Sequence, residues 1–391
     1  MRKLVKYGIL LLLHGLFMII TALFPKKKNL WLFGCWEGKA YSDNAKYLFE
    51  WINQNHSDIE AIWITSEIEV YRKVKNLGLK VRLAHSFSGF LALARASVVV
   101  ETEGNTDIGG YCPGRCKVIQ LWHGVAPKKM NYMKKYNKFE EFCRRIIFNN
   151  HSNSYWMVSS EQNSRVMNDF FNIKEGHIFV TGYPRNDILL KPSKSPIADL
   201  LEKKFPGHKK LIYMPTHRNF GENGALFTLE QMREINEYLR CEKYVLVFKP
   251  HFHELKNYLQ IESELTNIVL AKDQKLYGDV YSYIETFDVL IGDYSSIIYD
   301  FLCTKKPIVL FPYDLNNFKE SDGLFEYYES MECGPFTYSW NETLAQCTEI
   351  MQKDNWYENR ERCRKLFHPF NDGRNCERVY DAITNVIGGV K

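Results

Sequence analysis

The sequence predicts an α/β protein made of two doubly wound, Rossmann-like domains in tandem, and three observations predict it. Short apolar, β-branched runs alternate with helical patterns of about 10–15 residues from residue 29 onward, the signature of β-α-β units and a parallel sheet. A stretch carrying Pro184, Pro192, Pro196 and Pro206 breaks that rhythm before a second series begins. In both series, polar residues collect where the strands end, which is where open parallel sheets bind ligands.

Taken in order, residues 7–24 form an almost uncharged run interrupted by His14, Gly15 and Thr21, with Arg2, Lys3 and Lys6 before it and Lys26, Lys27 and Lys28 after it. This is the lower limit of length for crossing a bilayer, and no small-residue cleavage site follows. Residues 1–28 are therefore expected to be a membrane-anchoring or interfacial helix. The other reading is a buried amphipathic helix of the first domain.

The first domain is expected over 29–190, with strands near 30–33, 61–65, 97–101, 117–122, 156–159 and 177–181 and helices near 42–53, 67–77, 87–96 and 161–171. Residues 191–208 read as a linker. The second domain, 209–370, shows strands near 210–214, 244–248, 268–270, 289–292 and 308–311 with helices between. Residues 371–391 hold a last helix, about 375–386, expected to pack back across the hinge.

Composition narrows the function classes. The formal charge of +5 over 391 residues is too mild for nucleic-acid binding without a concentrated patch. The ten cysteines lack framework or zinc-site spacing, so reduced thiols and no metal are expected; Cys112 and Cys116 flank a turn.

The polar strand ends carry the chemistry. Strand 289–292 runs into Asp293-Tyr294-Ser295-Ser296, where Ser295 or Ser296 can N-cap a helix. Such a turn is either an ordinary cap or a phosphate seat, because first-turn N–H groups and the macrodipole favour an anion. Three other strand ends weigh toward the seat. Strand 117–122 ends in His123-Gly124-Val125-Ala126, and a histidine beside a glycine at a strand end is a candidate base. Strand 210–214 ends in Pro215-Thr216-His217-Arg218, and strand 244–248 in Lys249-Pro250-His251. Hydroxyl, ammonium, guanidinium and imidazole on one rim can hold a diphosphate without metal.

In order and approximate spacing, Gln120-Leu121-Trp122-His123-Gly124, Thr181-Gly182-Tyr183-Pro184-Arg185-Asn186-Asp187, Tyr213-Met214-Pro215-Thr216, Lys249-Pro250-His251, Asp293-Tyr294-Ser295-Ser296 with Asp300-Phe301, and Pro312-Tyr313-Asp314-Leu315 form one set. It resembles the CDP-glycerol glycerophosphotransferases of teichoic acid and capsule synthesis. The resemblance implies a GT-B fold, with an acceptor-side first domain and a CDP-donor-binding second domain facing a cleft. It also implies transfer of glycerol phosphate or a related polyol phosphate from a CDP-activated donor to a lipid-linked acceptor, releasing CMP, without a cofactor. By matching motif, His123 and His251 would be the functional histidines. Trp122, Gly124, Val125, Ala126, Arg185, Pro215, Thr216, Lys249, Pro250, Ser295, Ser296 and Asp300 would contact the donor.

The resemblance leaves the donor open between CDP-glycerol and CDP-ribitol, the acceptor between a lipid-linked saccharide and a polyol-phosphate chain, and the base between His123 and His251. It implies work at the cytoplasmic face of the cell membrane, against anionic lipid. The basic and aromatic residues over 128–145 read either as a lipid-facing segment or as a solvated one. Rival functions are a nucleotide-sugar glycosyltransferase and a non-catalytic scaffold of a polymer-export assembly.

Overall fold

A computed structural model describes residues 2–126, 154–192, 195–216, 227–250, 264–321 and 330–388, with isolated positions at 255, 258, 259, 324 and 328. The described residues form two compact units: residues up to His123, 154–187 and from Pro369 onward in the first, and 124–126 with 188–368 in the second.

The first unit is a seven-stranded sheet in the order β3-β2-β1-β4-β5-β6-β7, with every ladder parallel. Its strands are β1 (Lys27–Phe33), β2 (Glu60–Thr65), β3 (Val81–Leu83), β4 (Ala96–Glu101), β5 (Lys117–Gln120), β6 (Tyr155–Val158) and β7 (Ile178–Val180). Successive strand residues point to opposite faces, so each central strand feeds two cores. Trp31, Phe33, Ala61, Trp63, Val98 and Val100 enter one core, which is covered by α2 (Asp43–Asn55), α3 (Ile68–Asn76) and the helix Asn375–Val386. Leu30, Leu32, Ile62, Ile64 and Val99 enter the other, beneath α4 (Phe87–Arg95). Burial on both faces explains why these strands read as continuous apolar runs.

The last helix, expected to pack back across the hinge, buries Cys376, Val379 and Ile383 in the first unit's core and counts with that unit. Two other points differ from the sequence reading. Residues 191–208 include a helix, Pro196–Lys204, with proline in its first turn and the Ser195 side chain accepting from Ile197 N; it counts with the second unit. Strand β3 is additional: three residues with Arg82 at the centre carry no period to read.

The N-terminal segment forms α1 (Arg2–Ala22), but among the described residues no helix is long and apolar enough to cross a membrane. The anchoring role expected of residues 1–28 is therefore not supported. The physical reason is the two-sided character of α1. One side is packed: His14 and Thr21 are buried, Phe17 stacks on Tyr111 at 5.3 Å, and Thr21 Oγ1 accepts from Gly114 N at 2.8 Å. A side chain at residue 114 would collide with the carbonyl of Met18, so glycine sets that contact. The opposite side exposes Ile9, Leu12, Leu13, Leu16, Ile19 and Ile20, with Leu23 exposed just past the helix and Phe87 of α4 exposed as well.

The second unit is a five-stranded parallel sheet in the order β10-β9-β8-β11-β12. The strands are β8 (Lys209–Met214), β9 (Tyr244–Phe248), β10 (Ile268–Leu270), β11 (Val289–Gly292) and β12 (Ile308–Leu310). Met232, Ile235 and Leu239 of helix Leu229–Cys241 recur at helical spacing against Leu211, Tyr213, Leu246 and Phe248. A capping box of Thr228 and Gln231 starts that helix.

Both sheets reverse their winding beside their first strand, between β1 and β4 in one and between β8 and β11 in the other. Such a switch point leaves a crevice at the carboxyl ends of the strands.

Candidate active site

In the second unit the crevice lies between the ends of β8 and β11, and Asp293 closes it at its base. Its carboxylate accepts from Thr216 N at 2.9 Å, from Thr216 Oγ1 at 2.7 Å and from its own neighbour Tyr294 N at 2.6 Å. Tyr328 OH donates to the Asp293 carbonyl. Tyr294 is held in turn by stacking on Phe318 at 3.8 Å and by donating to Asp314 Oδ1 at 3.0 Å. The turn is thereby fixed from both sides, and Thr216 serves it as a strut.

Ser296 is the N-cap residue of helix Ile297–Phe301, yet makes no side-chain capping bond; the Ser295 hydroxyl lies at 3.5 Å from Ile297 N. From Val289 to Cys303 every residue is buried except Ser295 and Ser296, so the two hydroxyl-bearing residues are the solvent-facing part of the turn. Lys249, after β9, is half-buried, and burial lowers its pKa. Pro215, Thr216 and Pro250 are buried.

Asp300 was expected to contact the donor. It is wholly buried, accepts from Tyr281 OH at 2.8 Å and lies 3.8 Å from His368 Nε2, so it supports the helix from within. Helical periodicity placed it near the turn but did not reveal what packs over it.

In the first unit the crevice lies between the ends of β1 and β4, with His123 following β5. Trp122 adopts φ +51° and Gly124 φ +129° on either side of His123. A non-glycine residue in that region costs on the order of 1–3 kcal/mol and persists only where its surroundings impose it. Here Trp122 N donates to Gln120 Oε1 at 2.8 Å, and Asn44 Nδ2 donates to the Trp122 carbonyl at 2.9 Å. His123 stacks on Trp122 with ring centroids 4.3 Å apart and meets Trp36 at 5.6 Å. Its Nδ1 lies 3.4 Å from the Thr102 carbonyl. A carbonyl only accepts, so that contact puts the proton on Nδ1 and leaves the lone pair on Nε2. Burial lowers the His123 pKa, keeping the ring neutral and able to take a proton.

Arg185, expected to contact the donor, lies behind this turn. It is 1% exposed; Nη1 donates to Asp43 Oδ1 at 2.6 Å and its backbone N–H to Asn44 Oδ1 at 3.2 Å. Asp43 itself has φ +63° and accepts from Trp36 Nε1 at 3.1 Å. Arg185, Asp43 and Asn44 form a frame behind the Trp122-His123 turn. Trp122, Gly124, Val125 and Ala126 are buried. Sequence reasoning missed Asp43, Asn44 and Trp36, whose only signal is polar or aromatic character just past β1.

His251, His217, Arg218 and the basic run over 128–145 lie outside the described residues. Among the described residues no group of three or more His, Cys, Asp or Glu is placed to hold a metal ion, and the described cysteines, Cys112 and Cys116 included, are free thiols.

A family model described as CDP-Glycerol:Poly(glycerophosphate) glycerophosphotransferase matches residues 16–385. The teichoic acid glycerol-phosphate transferase of Staphylococcus aureus (strain NCTC 8325 / PS 47) is 26% identical, over 98% of this chain and 98% of that protein. A teichoic acid ribitol-phosphate polymerase, TarK, of the same strain is 27% identical over 67% of this chain and 51% of its own length. Among solved structures, the wall teichoic acid polymerase TagF superposes with a TM-score of 0.76 at 20% identity, over 99% of this chain and 97% of that one, a likeness of fold. With the matched region covering both units and the strand-end motifs within it, the chain belongs to the CDP-glycerol:poly(glycerophosphate) glycerophosphotransferase family.

Proposed function

We propose that the protein transfers glycerol phosphate from CDP-glycerol to a hydroxyl of a membrane lipid-linked acceptor, releasing CMP, in teichoic acid or capsular polysaccharide synthesis. Family membership favours this over nucleotide-sugar glycosyl transfer and over a silent scaffold. The observation that carries it is a histidine whose Nε2 lone pair is preserved by the Thr102 contact, in a chain whose other unit presents Ser295 and Ser296 at its switch point.

The two units are assigned separate tasks, as expected of a GT-B enzyme. Ser295, Ser296 and Lys249 bind the donor's phosphates, with His251 as their partner. Nε2 of His123 takes the proton from the acceptor hydroxyl as that oxygen attacks the β-phosphorus; the bond from this phosphorus to the CMP oxygen breaks and CMP departs. Arg185 acts on this step through the Trp122-His123 turn it braces.

The protein works at the cytoplasmic face of the cell membrane as a peripheral enzyme. The exposed apolar side of α1 supports this, flanked by the exposed Lys28 for anionic lipid, while Lys26 is bonded to the Ala94 carbonyl and Lys27 to Glu60.

CDP-ribitol as donor is the second reading, favoured by the likeness to a ribitol-phosphate polymerase. Incubation with CDP-glycerol and CDP-ribitol in turn, with lipid-linked acceptors, tests both. CMP release with a new phosphodiester in the phosphorus NMR spectrum is expected from one of them, and mass spectrometry resolves product length. No turnover of either donor overturns the proposal.

A further inference from the structure

The switch-point crevice of the first unit contains a loop that the donor chemistry does not use. Cys35-Trp36-Glu37-Gly38 follows β1, and Trp36, Glu37 and Gly38 all have left-handed φ, of +49°, +55° and +71°. Among the described residues eight non-glycine positions have positive φ, and three of them, Trp36, Asp43 and Trp122, lie around His123, with Glu37 next to Trp36. Strain gathered at one place is a mark of function rather than of loop geometry alone.

The loop is held from the end of β4. Asp107 Oδ1 accepts from Glu37 N at 2.8 Å, while its Oδ2 accepts from Thr102 N and Glu103 N, each at 2.8 Å. A side chain at Gly34 would strike the Asp107 carbonyl carrying the Cβ to 2.2 Å, so the two loops touch backbone to backbone. Trp36 is pinned at its edge by Asp43 and meets the His123 ring, yet remains 42% exposed. Glu103 immediately follows Thr102, whose carbonyl faces His123. A fixed, half-open indole beside carboxyl groups and a base is unfavourable for an anion and well matched to a polyhydroxylated molecule. The ring face takes its C–H surface and the carboxyls take its hydroxyls.

We propose that Trp36 and Glu103 form the acceptor subsite, stacking the terminal polyol or sugar of the acceptor on the Trp36 face and hydrogen-bonding its hydroxyls so that one is presented to His123. This rests on the reading of His123 as the base. The ionisation of Glu103 agrees with it: burial first, then Asp107, Glu37 and Asp43, push its pKa up to about 8, so near neutrality it donates as well as accepts.

The test uses the full chain with CDP-glycerol as donor and two soluble acceptors, a synthetic glycerol phosphate trimer and a synthetic N-acetylhexosamine disaccharide. Trp36→Ala and Glu103→Ala are expected to raise the KM for one of these by about tenfold or more. Donor KM stays at the wild-type level, and Trp36→Phe recovers most of the loss. The acceptor that responds identifies the source of the hydroxyls. An unchanged acceptor KM, or an equal rise in donor KM, overturns the subsite and leaves Trp36 a prop for His123. If the wild type releases no CMP from either CDP-polyol, the enzymatic reading fails by itself. The subsite is then tested by saturation-transfer NMR of the two acceptors, where equal signals from wild type and Trp36→Ala overturn it.

Discussion

Asp43 and Arg185 stand 142 residues apart in sequence and form an ion pair of 2.6 Å with side chains only 4% and 1% exposed. Removing one member of such a pair leaves the other charge buried, at a cost of about 3–5 kcal/mol. Arg185→Met is expected to lose stability of that order in urea unfolding, with donor KM unchanged in the fraction that stays folded. Full stability with a raised donor KM would instead return Arg185 to the role of donor contact. Asp43→Asn, which tolerates the left-handed conformation, should cost less than Asp43→Ala.

Thr216 and Asp293 make the corresponding bond in the second unit. Thr216→Val deletes the 2.7 Å hydroxyl bond to a carboxylate, worth about 1.5–3 kcal/mol. Ser296→Ala makes no comparable difference to stability, because Ser296 caps nothing. Donor KM separates them further: Ser296→Ala should raise it by about five- to tenfold at unchanged Tm, the loss of one hydrogen bond. Wild-type donor KM in Ser296→Ala would remove the turn from the donor site.

These contrasts mark how far the sequence could be read. The strand and helix alternation was legible because both faces of each central strand are buried, so Trp31 to Phe33 and Val98 to Val100 are apolar without interruption. His123 and the Ser295-Ser296 turn were legible because they follow such strands directly. Asp43, Asn44 and Trp36 were not, since their roles depend on left-handed backbone and on partners as distant as Arg185 and Trp122. The packing around Asp300 was not legible for the converse reason: spacing along a helix says which side a residue occupies, and here Tyr281 and His368 occupy that side too.

His123 carries a prediction in pH. Burial holds its pKa below the ordinary 6.5, so kcat/KM should persist at pH 6.5 and fall only below it. His123→Ala should lower turnover by about 10²–10⁴-fold. The unfolded chain binds the proton more readily than the folded one between the two pKa values. The stability held by the neutral ring is therefore complete above pH 6.5 and is lost as pH falls through the folded pKa. Thermal unfolding of wild type and His123→Ala across pH 5 to 8 checks the sign: the gap between them should narrow on the acid side.

Glu103 has the opposite sign. With its pKa pushed up to about 8, the folded state keeps a proton that the unfolded state has released, so its contribution is complete below the ordinary 4.5 and is lost as pH rises through about 8. Glu103→Gln, which mimics the protonated form, should gain on the wild type as pH rises from 5 to 9. A gain of about 1 kcal/mol at pH 9 corresponds to a Tm difference of roughly 2–4 °C for domains of this size. A constant difference across that range would mean Glu103 ionises as an exposed carboxylate.

The exposed side of α1 makes the last prediction, and its geometry supplies the control. Leu12 is 72% exposed and Leu23 79%, with Phe87 of α4 at 78%, whereas His14 and Thr21 on the other side are buried. Leu12→Gln with Leu16→Gln and Phe87→Gln change only groups already in water, so folding should be kept, while membrane affinity should fall with the apolar area withdrawn from the interface. Vesicle flotation with neutral and with anionic lipid reads this directly. The triple variant is expected to float poorly on both, and the wild type better on anionic vesicles because of the exposed Lys28. Equal flotation of variant and wild type would assign the apolar side of α1 to a protein partner instead of lipid. Substituting the buried side, as in Thr21→Val, should cost the bond to Gly114 N and loosen α1 from its sheet without altering the chemistry of the lipid-facing surface.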